Sequence, residues 1–215
     1  MEYMRLVSGD HSDLREHFEN AGRRLAEHLA RQKMLEPGSR LLDIGCGCGR
    51  VARHLLDSPI AAYAGFDRHS GMIEWAQSHI GARESRFQFQ HVDVQSGYTE
   101  IDGDVGTVAG AEFVFPYEDG GFTGALASSV FTHIDLATTS RYLTETARVL
   151  APGGRVLADY FPGDTTGPWG GTWNFLIRAD DMRLAIEQVG LDVLNLHPDP
   201  AIRRHSFFLL EKPAV

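Results

Sequence analysis

The sequence predicts an α/β fold built on a mostly parallel sheet with helices on both faces. Two observations carry that prediction. Apolar runs of strand length alternate with amphipathic stretches of about 10–15 residues, the pattern of parallel strands joined by helical crossovers. The last two runs, 191–196 and 206–210, have no helical stretch between them, so the sheet is expected to end in an antiparallel pair. The chain has 215 residues. At about 100–200 residues per domain, that is one compact domain with a small appendage.

Residues 10–35 read as helix, because Leu14, Phe18, Leu25, Leu29 and Ala30 recur at helical spacing with charges between them. Gly22 is the point at which this helix is expected to divide. Glu36-Pro37-Gly38-Ser39 closes it, which sets off residues 1–36 as a helical segment suited to act as a lid, ahead of a main domain at 37–215. The first strand is RLLDI at 40–44, and it runs into the cluster Gly45-Cys46-Gly47-Cys48-Gly49. Helical spacing resumes at 50–56. A second strand, YAGFD, is expected at 63–67, a helix at 70–80, and an alternating strand, FQFQHVDV, at 87–94. Residues 95–121 are glycine-rich and irregular, and a loop of that length is usually functional or mobile. A fourth strand follows at 124–129. The next helix, at 136–150, is stopped by Ala151-Pro152-Gly153-Gly154. The fifth strand is RVLADYF at 155–161. A Gly/Pro-rich loop at 162–175 carries Trp169, Trp173 and Phe175, and a last helix spans 179–189.

A glycine-rich turn from strand to helix lets backbone approach a ligand and leaves N–H groups free to donate to it. Dinucleotide-binding enzymes seat a pyrophosphate this way, and Gly47-x-Gly49-x-x-Ala52 satisfies their spacing. Asp43 argues the other way. It stands at the strand end, giving D-x-G-x-G-x-G over 43–49. A carboxylate there repels a pyrophosphate and accepts from an ammonium or a hydroxyl. Further acidic residues end the second and third strands, at Asp67 and Asp93.

This series resembles the motifs of class I S-adenosylmethionine-dependent methyltransferases. The FPYEDGGF segment at 115–122 with the LASSVFTHI run after it, the LAPGGR turn at 150–155 and the final strand pair continue the likeness in the family's order, over about residues 37–212. The resemblance implies a Rossmann-like seven-stranded, mostly parallel sheet with an antiparallel last strand. It implies S-adenosyl-L-methionine as cofactor. Gly45, Gly47 and Gly49 would line its methionine end, with Asp43 accepting from its amino group. Asp67 would hold the ribose hydroxyls, with Arg68 and Met72 just beyond. Asp93 and the Val94 backbone would meet the adenine, and Ser128 would touch the methionine part. Each has a structural counterpart: a tight turn for the glycines, a helix cap for Asp43, a turn former for Asp67, core packing for Met72.

His133, just after the fourth strand, is the candidate general base for an acceptor hydroxyl or amine, or else a structural histidine that caps a helix or hydrogen-bonds across the site. Ala127-Ser128-Ser129-Val130 stands where many amide methylases of nucleic acids and proteins carry Asn/Asp-Pro-Pro-Tyr/Phe. No metal-binding carboxylate is evident there, so no metal is expected. A net charge of −9, from 20 Lys+Arg against 29 Asp+Glu, disfavours nucleic acid and favours a small-molecule acceptor. No run has the roughly 18 apolar residues of a membrane span, and Met1 to Asp10 does not read as a signal peptide. Cys46 and Cys48 are too close for a disulfide, which suits a reduced, cytoplasmic setting. Three alternatives stay open: a nicotinamide-dependent oxidoreductase, a noncatalytic cofactor-binding module, and a different reaction such as a cyclisation on the same fold.

Overall fold

A computed structural model describes residues 13–95, 105–170, 174–198 and 206–214. The chain divides into two compact units, Met1–Val92 and Asp93–Val215.

The first unit opens with one continuous helix, α1 (Leu14–Arg31), capped by Asp13, whose carboxylate accepts from the Glu16 N–H. Strands β1 (Arg40–Ile44), β2 (Ala62–Asp67) and β3 (Phe87–His91) form a parallel sheet with β2 in the middle. Leu41, Leu42, Asp43 and Ile44 are all buried, which is why β1 reads as an unbroken run and not as an alternation. Each such aliphatic side chain contributes about 1.5–3 kcal/mol on burial. Helix α2 (Ser70–Ala76) lies between β2 and β3 in sequence.

Gly22 does not divide α1. It is buried in mid-helix because a Cβ there would stand 2.2 Å from the Arg50 carbonyl oxygen and 2.9 Å from the His54 ring. Close approach explains this glycine, and its weak helix propensity is tolerated. Gly22→Ala is therefore expected to destabilise the protein by about 1–3 kcal/mol, although an alanine in an open helix position stabilises. Urea denaturation reads this directly. A variant as stable as the parent would mean that α1 does not seat against the 50–54 segment. The helix expected to serve as a lid is packed into this unit through Phe18, Leu25 and Leu29. Glu19 also pairs with Arg53 at 2.5 Å.

Two helical expectations change form here. The 50–56 stretch is a short 3₁₀ turn, Ala52–His54, and its bonds run from His54 N–H to the Val51 carbonyl and from Leu55 N–H to the Ala52 carbonyl. The apolar spacing marks burial correctly, but the segment between Gly49 and Pro59 is too short to propagate an α-helix. The 70–80 helix keeps its α pitch only to Ala76 and widens into a π turn at Gln77–Gly81. The Gln77 side chain donates to the Phe89 carbonyl, and the Ser78 hydroxyl takes the Glu74 carbonyl. The Ser78 bond competes for a helix carbonyl four residues back, which loosens the regular pitch.

In the second unit, β4 (Phe122–Ala127) and β5 (Leu150–Pro162) are parallel, β9 (Ser206–Glu211) runs antiparallel to β5, and β8 (Asp192–Pro198) runs antiparallel to β9. The expected antiparallel ending is present. Helix α3 (Leu136–Val149) is capped by Asp135, and α4 (Ala179–Gln188) precedes β8. The APGG turn is absorbed into a bulged start of β5. Gly153 N–H donates to the Lys212 carbonyl, and Lys212 N–H donates to the Gly154 carbonyl. The expected third strand stops at His91. Beyond it, Val94 forms a single parallel bridge with Val108. Two short strands in the 162–175 loop and just past it, β6 (Gly167–Pro168) and β7 (Phe175–Ile177), pair with each other, and β7 also pairs with β5. They add a ribbon to the seven strands expected. Among the described residues, no helix is long and apolar enough to cross a membrane.

Candidate cofactor and acceptor site

In the first unit, the carboxyl ends of β1 and β2 carry the glycine loop and the acidic residues Asp43 and Asp67. Gly45, Gly47 and Gly49 have φ values of +69°, +55° and +76°. Alternating left-handed residues of this kind explain why glycine stands at every second position. The loop is stitched to β2. Gly45 and Cys46 N–H groups both donate to the Phe66 carbonyl, at 2.9 and 3.0 Å. Gly47 N–H donates to Asp67 Oδ2 at 2.8 Å, His69 N–H donates to Asp67 Oδ1 at 2.9 Å, and Gly49 N–H donates to the Cys46 carbonyl at 3.0 Å.

This bonding discriminates between ligand classes. A pyrophosphate needs free N–H donors, and those of Gly45, Cys46, Gly47 and Gly49 are already engaged by protein acceptors. Two carboxylates, Asp43 and Asp67, flank the loop instead. Each Asp67 oxygen accepts one backbone N–H and keeps acceptor capacity for a ligand hydroxyl. Burial raises the Asp67 pKa against the pull of these two N–H bonds. Asp43 is only 3% exposed and accepts from the Tyr63 hydroxyl. Burial pushes its pKa from 3.8 up to about 7, opposed by the Tyr63 hydrogen bond and by Arg50. The donor and acceptor pattern fits a ligand that brings hydroxyls and a cation, as S-adenosylmethionine does.

The other residues predicted in this unit divide. Arg68 is half-buried, and its carbonyl accepts from the His91 ring at 3.0 Å. Met72 is 4% exposed and packs with Phe18 and Cys48, a core position. Cys46 and Cys48 are free and buried, and burial raises the pKa of both thiols.

In the second unit, Asp93 is exposed, and Thr107 clasps it. Thr107 N–H donates to Asp93 Oδ1 at 2.8 Å, and the Thr107 hydroxyl donates to Oδ2. Val94 is buried beside this clasp, and Gln95 N–H donates to the Val108 carbonyl at 2.8 Å. Residues 107–108 are thus tied back to the 93–95 segment. Residues 96–104 of the irregular 95–121 stretch lie outside the described residues.

Ser128 follows β4 and is half-buried. Ser129 takes a left-handed φ of +59°, and its N–H donates at 2.5 Å to the carboxylate of Asp159, which is 1% exposed on β5. His133 lies in the turn after β4, with its N–H donating to the Val130 carbonyl at 3.0 Å. The same turn is anchored by the buried Phe131 stacked on Phe208 and by the Thr132 carbonyl, which accepts from Phe175 N–H. Trp169 meets Phe161 edge-on at 5.8 Å, while Trp173 lies outside the described residues.

Sequence reasoning missed three contributors: Tyr63, Thr107 and Asp159. Asp159 had a signal, a lone carboxylate inside the apolar run RVLADYF. Thr107 had none, because its bond to Asp93 spans a loop of no recognisable pattern.

The comparisons with known proteins bear on the family and the fold. The O-methyltransferase rstn1 of Aspergillus nomiae is 29% identical over 144 residues, which cover 66% of this chain and 56% of that protein. The chain thus spans little more than half of that relative's length. Magnesium protoporphyrin IX methyltransferase (ChlM) from Synechocystis PCC 6803, solved with bound SAH, superposes with a TM-score of 0.67 at 18% identity, covering 98% of this chain and 93% of that one. The [4+2]-cyclase SpnF superposes equally well, at 0.67 and 19% identity, covering 91% of this chain and 82% of its own. At such identities these structures establish the shared α/β fold. The methyltransferase-domain family matches residues 42–158, an unbroken stretch from the strand that carries Asp43 to the one that carries Asp159. The chain belongs to the methyltransferase-domain family.

Proposed function

We propose that the chain is an S-adenosylmethionine-dependent methyltransferase that transfers a methyl group to an oxygen of a small-molecule acceptor. The observation that carries this reading is the glycine loop, in which the N–H groups of Gly45, Cys46, Gly47 and Gly49 turn inward to protein acceptors while Asp43 and Asp67 remain to receive ligand donors. The O-methyltransferase among the relatives and the SAH-bound structural neighbour support it. The net charge of −9 fits a small acceptor better than nucleic acid, and two free, buried thiols fit a reducing, cytoplasmic location.

When bound, S-adenosylmethionine supplies an electrophilic methyl group on a sulfonium sulfur. Asp43 receives its ammonium, the Gly45–Gly49 loop its methionine chain, and Asp67 its ribose hydroxyls. Arg68 flanks the ribose, and Met72 supports that side from the core. Asp93 and Val94 N–H receive the adenine, and Ser128 the methionine end. His133 takes the proton from the acceptor hydroxyl, and Trp169 and Phe175 form an apolar wall for the acceptor.

The test is incubation with methyl-labelled S-adenosylmethionine and a panel of phenols and alcohols, alongside the matching amines. The expected result is an O-linked label with one SAH released per methyl transferred. Label on amines alone would contradict the choice of oxygen. A cofactor that binds and is never spent would favour a noncatalytic module or a cyclisation. His133→Ala is expected to lower turnover by about 10²–10⁴-fold with cofactor affinity unchanged. A loss below about tenfold would leave catalysis to positioning alone.

A further inference from the structure

The β1–β2 register sets Asp43 opposite Gly65, and Tyr63 lies two residues before Gly65 on the same face of β2. Gly65 has no side chain to fill the space in front of Asp43. A Cβ there would stand 3.2 Å from the Tyr63 ring and 2.8 Å from Cys46. The vacated space lets Tyr63 reach across to Asp43, to which its hydroxyl donates. The ring itself is fixed. It is buried, stacked on Phe87 at 5.0 Å with an interplanar angle of 17°, and tilted against Phe89 at 5.6 Å.

We propose that Tyr63 is the positioning residue for Asp43, and that its hydroxyl holds the carboxylate oriented toward the ammonium of the cofactor's methionine end. This rests on the cofactor reading above and adds to it the group that prepares Asp43 for a cation. A buried phenol held by aromatic stacking offers a donor that cannot swing away, so the free oxygen of Asp43 points in one direction. The other groups around Asp43 are Arg50 and Cys46 on the glycine loop and Asp67 at the end of β2. Arg50 favours the ionised carboxylate and Asp67 disfavours it. Cys46 stays a neutral thiol because burial raises its pKa.

The sign of the pH effect follows. Burial pushes the Asp43 pKa up to about 7, and the Tyr63 bond pulls against that rise. In the ligand-free protein this group's contribution to stability falls as pH rises from 3.8 toward 7, because the unfolded chain ionises first. An ammonium ligand needs the ionised form, so its affinity rises with pH through the same window.

Calorimetric titration of the whole chain with SAH from about pH 6 to pH 9 tests the proposal, comparing Tyr63→Phe with the parent so that titration of the ligand cancels. The expected result is an affinity lower by about tenfold near pH 6, closing to within about twofold near pH 9, a midpoint raised by about one pH unit. Tyr63→3-fluorotyrosine, which keeps the packing and donates more strongly, is expected to move the midpoint the opposite way and to raise affinity near pH 6. A Tyr63→Phe loss that is the same at every pH, or a fluorotyrosine variant with an unmoved midpoint, overturns the proposal. An unaltered pH profile in Asp43→Asn likewise overturns the proposal, whereas failure of the parent to bind SAH overturns the cofactor reading itself.

Discussion

Asp67→Ala is expected to weaken SAH binding by about 10²–10³-fold. Two losses add. The carboxylate is the proposed receiver of both ribose hydroxyls, and a hydrogen bond to a charged group contributes about 1.5–3 kcal/mol. The same carboxylate holds Gly47 N–H and His69 N–H, so its removal also frees the glycine loop from the end of β2. Asp67→Asn separates the two effects. Its amide retains one acceptor and turns a donor toward one of the two N–H groups, so an intermediate loss is expected. Calorimetry reads all three proteins. An affinity of Asp67→Ala within about threefold of the parent would remove the residue from the ligand site and leave it as a loop clasp.

Arg148→Met is expected to cost about 3–5 kcal/mol of stability. Glu145 is 3% exposed, and its Oε2 accepts from Arg148 Nη2 at 2.6 Å, from Arg148 Nε at 3.0 Å and from Phe115 N–H at 3.0 Å. Arg148 also donates to the Tyr117 and Phe115 carbonyls and to Asp119. One guanidinium therefore pins the whole 115–119 approach to β4 and neutralises a buried carboxylate. Methionine keeps the length and apolar stem but strands Glu145 with Arg141, at 3.3 Å, as its other ion-pair partner. Pairing the change with Glu145→Gln is expected to restore part of the loss, since a buried charge left with Arg141 as its ion-pair partner is then gone. Urea unfolding at neutral pH measures both. A single-variant loss under about 1 kcal/mol would show that the network is solvated and contributes little.

Much of this arrangement was legible in the residues. Strand β1 falls where RLLDI reads as strand, because a strand buried on both faces is apolar throughout. Asp43 and Asp67 stand at strand ends because turn residues bound their runs on the carboxyl side. What was not legible depends on groups distant in sequence. Tyr63 looks like any aromatic strand residue until the register sets Gly65 opposite Asp43 and the Tyr63 hydroxyl is seen to reach that carboxylate. The Asp93–Thr107 clasp closes a loop with no periodic pattern. The 50–56 and 77–81 segments carry the apolar spacing of α-helix, but helix type is decided by which carbonyl each N–H reaches, and in the second segment the Ser78 hydroxyl competes for one of those carbonyls. Arg148 and Glu145 read as an ordinary helical ion pair. Their importance comes from the burial of Glu145 and from the carbonyls that Arg148 reaches.

The most direct test of the central reading is a calorimetric titration of the unmodified chain with SAH and, separately, with NAD and NADP. One SAH site with micromolar affinity, about −8 kcal/mol, and no heat from either dinucleotide is the expected result. Saturable binding of NAD or NADP with no response to SAH would contradict it, and would require the N–H groups of Gly45, Cys46, Gly47 and Gly49 to leave the acceptors they hold.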